Sequence, residues 1–481
     1  MTITTTRTDE FLRGAAELLG PKGLSTDPEM LDPWLTDWRG RYTGRAIGLA
    51  SPASTEEVAN LVKLCGEYRI PIVPQGGNSG MVGGATPDET GSALILSLRR
   101  MNRIRSLDRQ AGQAVCEAGV ILQTFHEGAE AADMRFPLTL GGKGSATIGG
   151  LVSTNAGGTQ VLRHGTMRAQ VLGIEAVLAN GEVFDGLTAL KKDNRGFDLK
   201  QLLIGSEGTL GIVTAATLRI LPAATARATA WVGLSGIKEA RTLLKHVGQR
   251  MGGTLEGFEV VPDHCLENVI DHLPDARQPL AENHSWNALI ECVSDSDDPA
   301  ALQGQMEAVL ADAMEAGLLE DAVLAANDKQ SEDFWLLRDS ISAAERALGP
   351  AMQHDISVPV EQMPEFILAA IPAIENEYPG TRGVAFGHLG DGNVHFHIIA
   401  PAGAIPGKWE DSEGKRISAR VYDLVTDWGG SISAEHGIGQ MKVSELGRLG
   451  DPVALSMMRA VKQALDPDGL LNPGKLLPSG A

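Results

Sequence analysis

Fifty-seven glycines in 481 residues exceed a background of ~7%, and where they fall constrains the fold more than their number does. They concentrate at 76–91, 141–165 and 205–211, with more at 387–392 and 437–439. Clustered glycine without low complexity implies backbone packed closely against a ligand or another segment. The run Pro74-Gln75-Gly76-Gly77-Asn78-Ser79-Gly80-Met81-Val82-Gly83-Gly84 follows a short strand-like stretch, and its amides could form a nest for phosphate oxygens. It lacks the GxGxxG spacing of a dinucleotide turn. Gly141-Gly142-Lys143-Gly144-Ser145 is no Walker loop, because Gly144 separates the lysine from the hydroxyl. Singly, each loop reads as a structural turn; together they favour a large phosphate-bearing cofactor.

The second constraint is Gly387-His388-Leu389-Gly390-Asp391-Gly392-Asn393-Val394-His395-Phe396-His397. Asp391-Gly392 suits a two-residue hairpin loop, which predicts that 388 pairs with 395. The two imidazoles would then lie opposite each other, with Cβ atoms roughly 5 Å apart. His397 shares their face by the two-residue strand period. With a carboxylate such as Glu435, two histidines could make a metal site with room for substrate. An exposed polar hairpin is the alternative, and this segment alone does not choose between them.

The net charge of −20 argues against nucleic acid as a partner. Cys65, Cys116, Cys265 and Cys292 form no CxxC pair and read as reduced core residues. The N-terminal stretch lacks a secretory apolar core. No apolar run approaches the ~20 residues of a membrane span. The expected location is cytoplasmic.

Ser54 followed by Glu57 predicts a capped helix over 54–69. Strands are expected at 70–74, 94–98, 113–117 and 171–178, the last ending in an Asn180-Gly181 turn. Beyond about 224 come a strand at 228–232, helices at 236–251, 299–316 and 331–347, and strands at 355–359 and 383–398. The fold class is α+β.

The loop 74–84, the segment Pro137 to Gly150, Thr154-Asn155-Ala156-Gly157-Gly158 and Gly205-Ser206-Glu207-Gly208-Thr209-Leu210-Gly211-Ile212-Val213 resemble the FAD-binding domain of the vanillyl-alcohol-oxidase type. GHLGDGNVH, Ser433-Ala434-Glu435-His436-Gly437-Ile438-Gly439 and Leu471-Asn472-Pro473-Gly474-Lys475 resemble the D-2-hydroxy-acid dehydrogenases of that superfamily, the D-2-hydroxyglutarate enzymes first and the D-lactate enzymes next. The resemblance spans about 35 to 478. It implies a two-part FAD-binding domain over 1–222, an α+β substrate (cap) domain over 223–430, and a C-terminal segment over 431–481 that completes the active site.

By resemblance, non-covalent FAD would be held by Pro74, Gly76, Gly77, Asn78, Ser79, Gly80, Gly83, Gly84, Pro137, Gly144, Ser145, Gly149, Gly150, Thr154, Asn155, Gly158, Gly165, Glu207, Gly211, Ile212 and Asn472. His388, His395 and Glu435 would hold a divalent metal, zinc in the family's usage. His436 would accept the hydroxyl proton while hydride passes to the flavin. Arg338 matches the family's substrate-carboxylate arginine, read here as the distal cation. Ser342, one turn on, stands where the hydroxyglutarate enzymes carry a threonine.

Two departures bear on specificity. Gln353 aligns with a substrate-holding lysine, and His397 with an asparagine. The expected activity is therefore FAD-dependent, metal-assisted oxidation of a D-2-hydroxy acid, D-2-hydroxyglutarate first, with D-lactate or D-malate as alternatives. A flavin-binding electron-transfer protein is the non-enzymatic reading. An electron-transfer flavoprotein or a quinone would accept the electrons, and homodimer formation is left open.

Overall fold

Ser54 caps the helix Thr55–Tyr68 by accepting the Glu57 amide, while the Glu57 carboxylate accepts the Ala53 amide at 2.7 Å. That pairing, a capping box shifted to the amide of the residue before the cap, starts the helix. The structure, a computed structural model, describes residues 2–295 and 298–478. It divides into two units: residues 1–157, 166–222 and 435–481 form one, and 158–165 with 223–434 form the other. The segment from 435 onward thus joins the first unit, residues 431–434 join the second, and the second also takes 158–165 out of the glycine-rich region.

In the first unit, Gly48–Ala50, Leu94–Ser97 and Ile72–Gln75 pair in parallel, and Leu24–Ser25 pairs antiparallel with Gly48–Ala50. Leu471 bridges to Ile72, and Asn472 N–H donates to the Ile72 carbonyl, so the chain's end ties onto this sheet. An antiparallel sheet of five strands follows, in the order Ile104–Asp108, Gln113–Glu117, Ile212–Arg219, Val171–Val177, Val183–Gly186. Its central strand Ile212–Arg219 is buried except at Arg219, as a strand covered on both faces must be.

The second unit is one antiparallel sheet of seven strands. Their order is Asp321–Leu324, Ala226–Leu234, Trp286–Ser294, Leu255–Pro262, Arg382–His388, Asn393–Ile399, Ala351–Ser357. Strand side chains alternate between faces. On one face Trp231, Val261, Leu289, Val384 and Phe386 pack with residues of the helices Asp263–His272, Asp328–Asp339 and Ile341–Leu348. On the other, Phe396 meets Phe366 of the helix Met363–Glu377, and His354 reaches Ser418 of Lys415–Asp427.

Two local expectations change. The helix expected over 331–347 is divided: Asp328–Asp339 ends at Ser340, whose carbonyl starts Ile341–Leu348 by accepting the Ala343 and Ala344 amides. Arg338 and Ser342 therefore do not share one uninterrupted helical face. The hairpin pairs His388 with Asn393 and Phe386 with His395, not 388 with 395. Its loop is four residues, closed by Gly392 N–H donating to the His388 carbonyl, with Gly392 at φ +81. Leu389 explains the slip: its amide donates to the Phe258 carbonyl of the neighbouring strand, and its side chain is fully buried. A two-residue slip preserves the face, so His388, His395 and His397 still point the same way.

Candidate functional site

In the first unit the glycine loops meet face to face. A Cβ at Gly77 would lie 1.8 Å from the Ser145 carbonyl oxygen, and one at Gly76 would lie 2.3 Å from Thr147 Oγ1. Only glycine permits that approach. Thr147 Oγ1, Gln75 Oε1 and Asn472 Oδ1 are buried without hydrogen-bond partners. These unmet polar atoms beside glycine backbone fit a polar, phosphate-bearing cofactor.

Several side chains expected at the cofactor serve the loops themselves. Asn78, at φ +53, donates to the Thr36 carbonyl at 2.8 Å. Thr154 Oγ1 donates to the Gly150 carbonyl. Asn155 Oδ1 accepts from Thr166 Oγ1 and the Arg168 amide. Asn472 Nδ2 donates to the Gly84 and Glu207 carbonyls. The Glu207 carboxylate accepts the Ile438 and Gly439 amides, each at 2.7 Å. Burial raises the pKa of Glu207 although both amides stabilise its charge. These residues shape the cradle, and what they offer a ligand is backbone. Gly83, Pro137, Gly149, Gly211 and Ile212 are buried, Ser79 and Gly84 lie half-buried on the loops, Gly150 is half-buried in the helix Ile148–Thr154, and Gly80, Gly144 and Ser145 are exposed. Gly158 and Gly165 belong to the second unit.

In the second unit the sheet register builds a row of polar groups. Glu259 lies directly opposite His388, Asp355 opposite His395, and Gln353 opposite His397. His388 Nδ1 hydrogen-bonds Glu259 Oε1 at 2.5 Å, so Nε2 is the ring nitrogen that would serve as a ligand. Arg338 donates from Nε to Glu259 Oε2 at 2.8 Å, and its Nη2 stands 3.3 Å from Nε2 of both His388 and His395. The two Nε2 atoms thus converge on one point, with ring centroids 5.4 Å apart. Burial, then Arg338 and His388, hold the His395 imidazole well below its usual pKa, the direction that favours its neutral form. Burial alone would raise the Glu259 carboxyl, but Arg338 and His388 bring it down to about 2.

Arg338 stands beside His388 and His395. Its guanidinium sits at the histidine end, because Glu259 anchors it there. Further along the row, His397 Nδ1 is bound by the buried Glu345 carboxylate of the helix Ile341–Leu348. Ser342 is half-buried on that helix, and Gln353 is half-buried on the edge strand. Sequence reasoning missed Glu259 and Glu345. A lone acid in the apolar run Phe258-Glu259-Val260-Val261 was the available signal, since a carboxylate there must find a partner.

Residues 46–186 match the family description "FAD binding domain", and residues 223–476 match "FAD linked oxidases, C-terminal domain". This chain belongs to the FAD-linked oxidase family. The D-2-hydroxyglutarate dehydrogenase, mitochondrial, of Arabidopsis thaliana is 38% identical over 469 residues, covering 96% of this chain and 80% of that protein. The Bos taurus enzyme of the same name is 37% identical over 470 residues, covering 97% and 83%. A solved structure titled as p-cresol methylhydroxylase with substrate bound superposes with TM-score 0.76 at 16% identity, over 98% of this chain and 97% of that one. This FAD-linked oxidase therefore has the two-domain vanillyl-alcohol-oxidase fold and is an FAD-dependent oxidoreductase related to the D-2-hydroxyglutarate dehydrogenases. Among the described residues no helix is long and apolar enough to cross a membrane.

Proposed function

We propose that this FAD-linked oxidase oxidises a D-2-hydroxy acid, D-2-hydroxyglutarate first, to its 2-oxo acid with the help of a divalent cation. The observation that carries the reading is the convergence of His388 and His395 Nε2 beside a carboxylate-locked tautomer. Glu435 is the proposed third ligand. Support comes from the chain before it: Ser431 bridges to Ser357, and the Ala434 amide donates to the carbonyl of Asp355, the residue opposite His395. Two imidazoles and a carboxylate suit zinc.

When bound, FAD supplies the two-electron acceptor and the cation a Lewis acid. The chain's own residues do the rest. His436 takes the substrate's hydroxyl proton as hydride leaves Cα, a task suited to an imidazole near neutral pH. Arg338, fixed by Glu259, clasps the 2-hydroxy carboxylate. Ser342, Gln353 and His397 receive the distal end. With Gln353 instead of a lysine, chain-length discrimination is loose, and D-malate and D-lactate are the competing substrates.

The deciding experiment is anaerobic flavin bleaching against D- and L-2-hydroxy acids of graded length. Bleaching by D-2-hydroxyglutarate, lost on chelation while FAD stays bound, is the expected result. A strong preference for D-lactate would hand the assignment to that acid, and no bleaching by any acid would leave an electron-transfer flavoprotein. With Arg338 at the histidine end, Arg338→Ala should lower kcat/KM for the glutarate and the lactate alike; a loss confined to the dicarboxylate would return Arg338 to the distal end.

FAD is held without a covalent link in this proposal, because residues 74–87 contain no cysteine or histidine, and acid precipitation should leave the colour in the supernatant. The electron acceptor is an electron-transfer flavoprotein or quinone. Four buried free cysteines suit a reducing compartment, cytoplasm and mitochondrial matrix alike.

A further inference from the structure

Segment 158–165 belongs to the second unit although its chain neighbours on both sides belong to the first. It docks on the strand Leu255–Pro262 through one carboxylate. Glu256, 1% exposed, accepts from Gln160 Nε2 at 3.1 Å and Arg163 Nη1 at 2.9 Å, and its Oε2 lies 3.1 Å from His164 Nε2. Arg163 also donates to the Val293 carbonyl at 2.7 Å. Between these polar residues, Leu162 reaches the turn of the histidine hairpin. A Cβ at Gly390 would lie 2.7 Å from Leu162 Cδ1, and one at Gly392 would lie 2.2 Å from the Val358 carbonyl oxygen. The turn that follows His388 is therefore seated between Leu162 and Val358. Leu162 and Arg163 line a cavity of about 410 Å³, with Leu244, Gly248 and Leu255 among its other walls.

We infer that Glu256 is a positioning residue for the histidine hairpin. By gathering Gln160, Arg163 and His164 it fixes segment 158–165, and Leu162 on that segment sets where the 389–392 turn, and with it His388, can stand. The inference rests on the proposed role of His388 as a metal ligand. Hydrogen bonds to a buried charge are among the strong ones, and groups supporting a metal ligand change metal affinity about 10–100-fold when removed.

The test uses the FAD-loaded full chain with Glu256→Ala and Leu162→Ala. Amide hydrogen exchange over 387–394 should speed up about tenfold or more in both variants, while exchange in the strand Ala226–Leu234 stays unchanged. Titration with Co²⁺, read by visible absorbance, should show affinity weakened about 10–100-fold in both. Unaltered exchange over 387–394 in the two variants overturns the inference, as does loosened exchange with Co²⁺ affinity equal to that of the unmodified protein. If the unmodified protein takes up no Co²⁺ and the hairpin still loosens, the metal reading fails while the seating of the turn by Glu256 stands. Should Glu256→Ala not fold, Glu256→Gln, which removes the charge at nearly constant size, takes its place beside Leu162→Ala under the same outcomes.

Discussion

Glu207 and Glu259 are both buried carboxylates, one in each unit, and their surroundings push them in opposite directions. Glu207 is met by two backbone amides, with Lys442 and Lys475 contributing more weakly, and burial wins: its pKa is raised. Glu259 is equally removed from water, yet Arg338 and His388 touch it directly and its pKa falls to about 2. Two amides do not offset the burial of Glu207, whereas the contacting Arg338 and His388 more than offset that of Glu259. The flavin-binding unit thus works through backbone and shape, and the sheet of the second unit through charged side chains. The contrast predicts how each breaks.

The largest effect should come from Glu259→Ala. It leaves Arg338 as a buried cation without its carboxylate, at a cost of about 3–5 kcal/mol, measured by denaturant unfolding, and activity should vanish with it. A loss under about 1 kcal/mol would mean that Arg338 finds another partner and that the charged row is not the unit's anchor.

Next is Gly77→Ala. The added Cβ meets the backbone oxygen of Ser145, which no rotamer change can relieve, so the two loops must part. Overpacking of this kind costs about 1–3 kcal/mol, and the purified protein should carry much less flavin. Full flavin content would show that loop apposition is not what shapes the cradle.

Asn472→Ala removes two donors to the buried Gly84 and Glu207 carbonyls. It should cost about 1–2 kcal/mol and lower flavin retention with little change in amide hydrogen exchange over 387–394 in the other unit. Equal damage to both properties would erase the distinction between the units.

The smallest effect is in pH dependence. A carboxyl whose folded pKa is raised contributes stability present below its unfolded value of about 4.3 and lost as pH rises through the folded value. Unfolding free energy should therefore decline slightly as pH rises above about 4.3, and Glu207→Gln should flatten that decline. An unchanged slope in the variant would mean that the two amides already offset burial.

The hairpin shows how far a sequence can be read. Its existence, its glycine and the shared face of His388, His395 and His397 were all legible, because turn propensity and the strand period are local properties. Its register was not, because the Leu389 amide is claimed by Phe258, 131 positions earlier in the chain. The helix at 331–347 tells the same story: helical propensity was legible, whereas the division at Ser340 was not. Glu256 was invisible for a different reason. Its partners at 160–164 sit in a stretch whose glycines pointed only to the cofactor.

What the sequence by itself determined is the set of short-range commitments: the capping box at Ser54, the glycine loops at 76–84 and 141–150, the alternation that aligns three histidines, and the family those motifs identify. Tertiary structure alone decided the companions of each functional group. Glu259 stands opposite His388 only because Leu255–Pro262 lies beside Arg382–His388 in the sheet, and Arg338 reaches the histidines only because Glu259 holds it. Backbone preference is set by neighbours one to four residues away. Charge compensation in a buried site is set by whichever partner the sheet order brings within about 3 Å, however far off it lies in the chain.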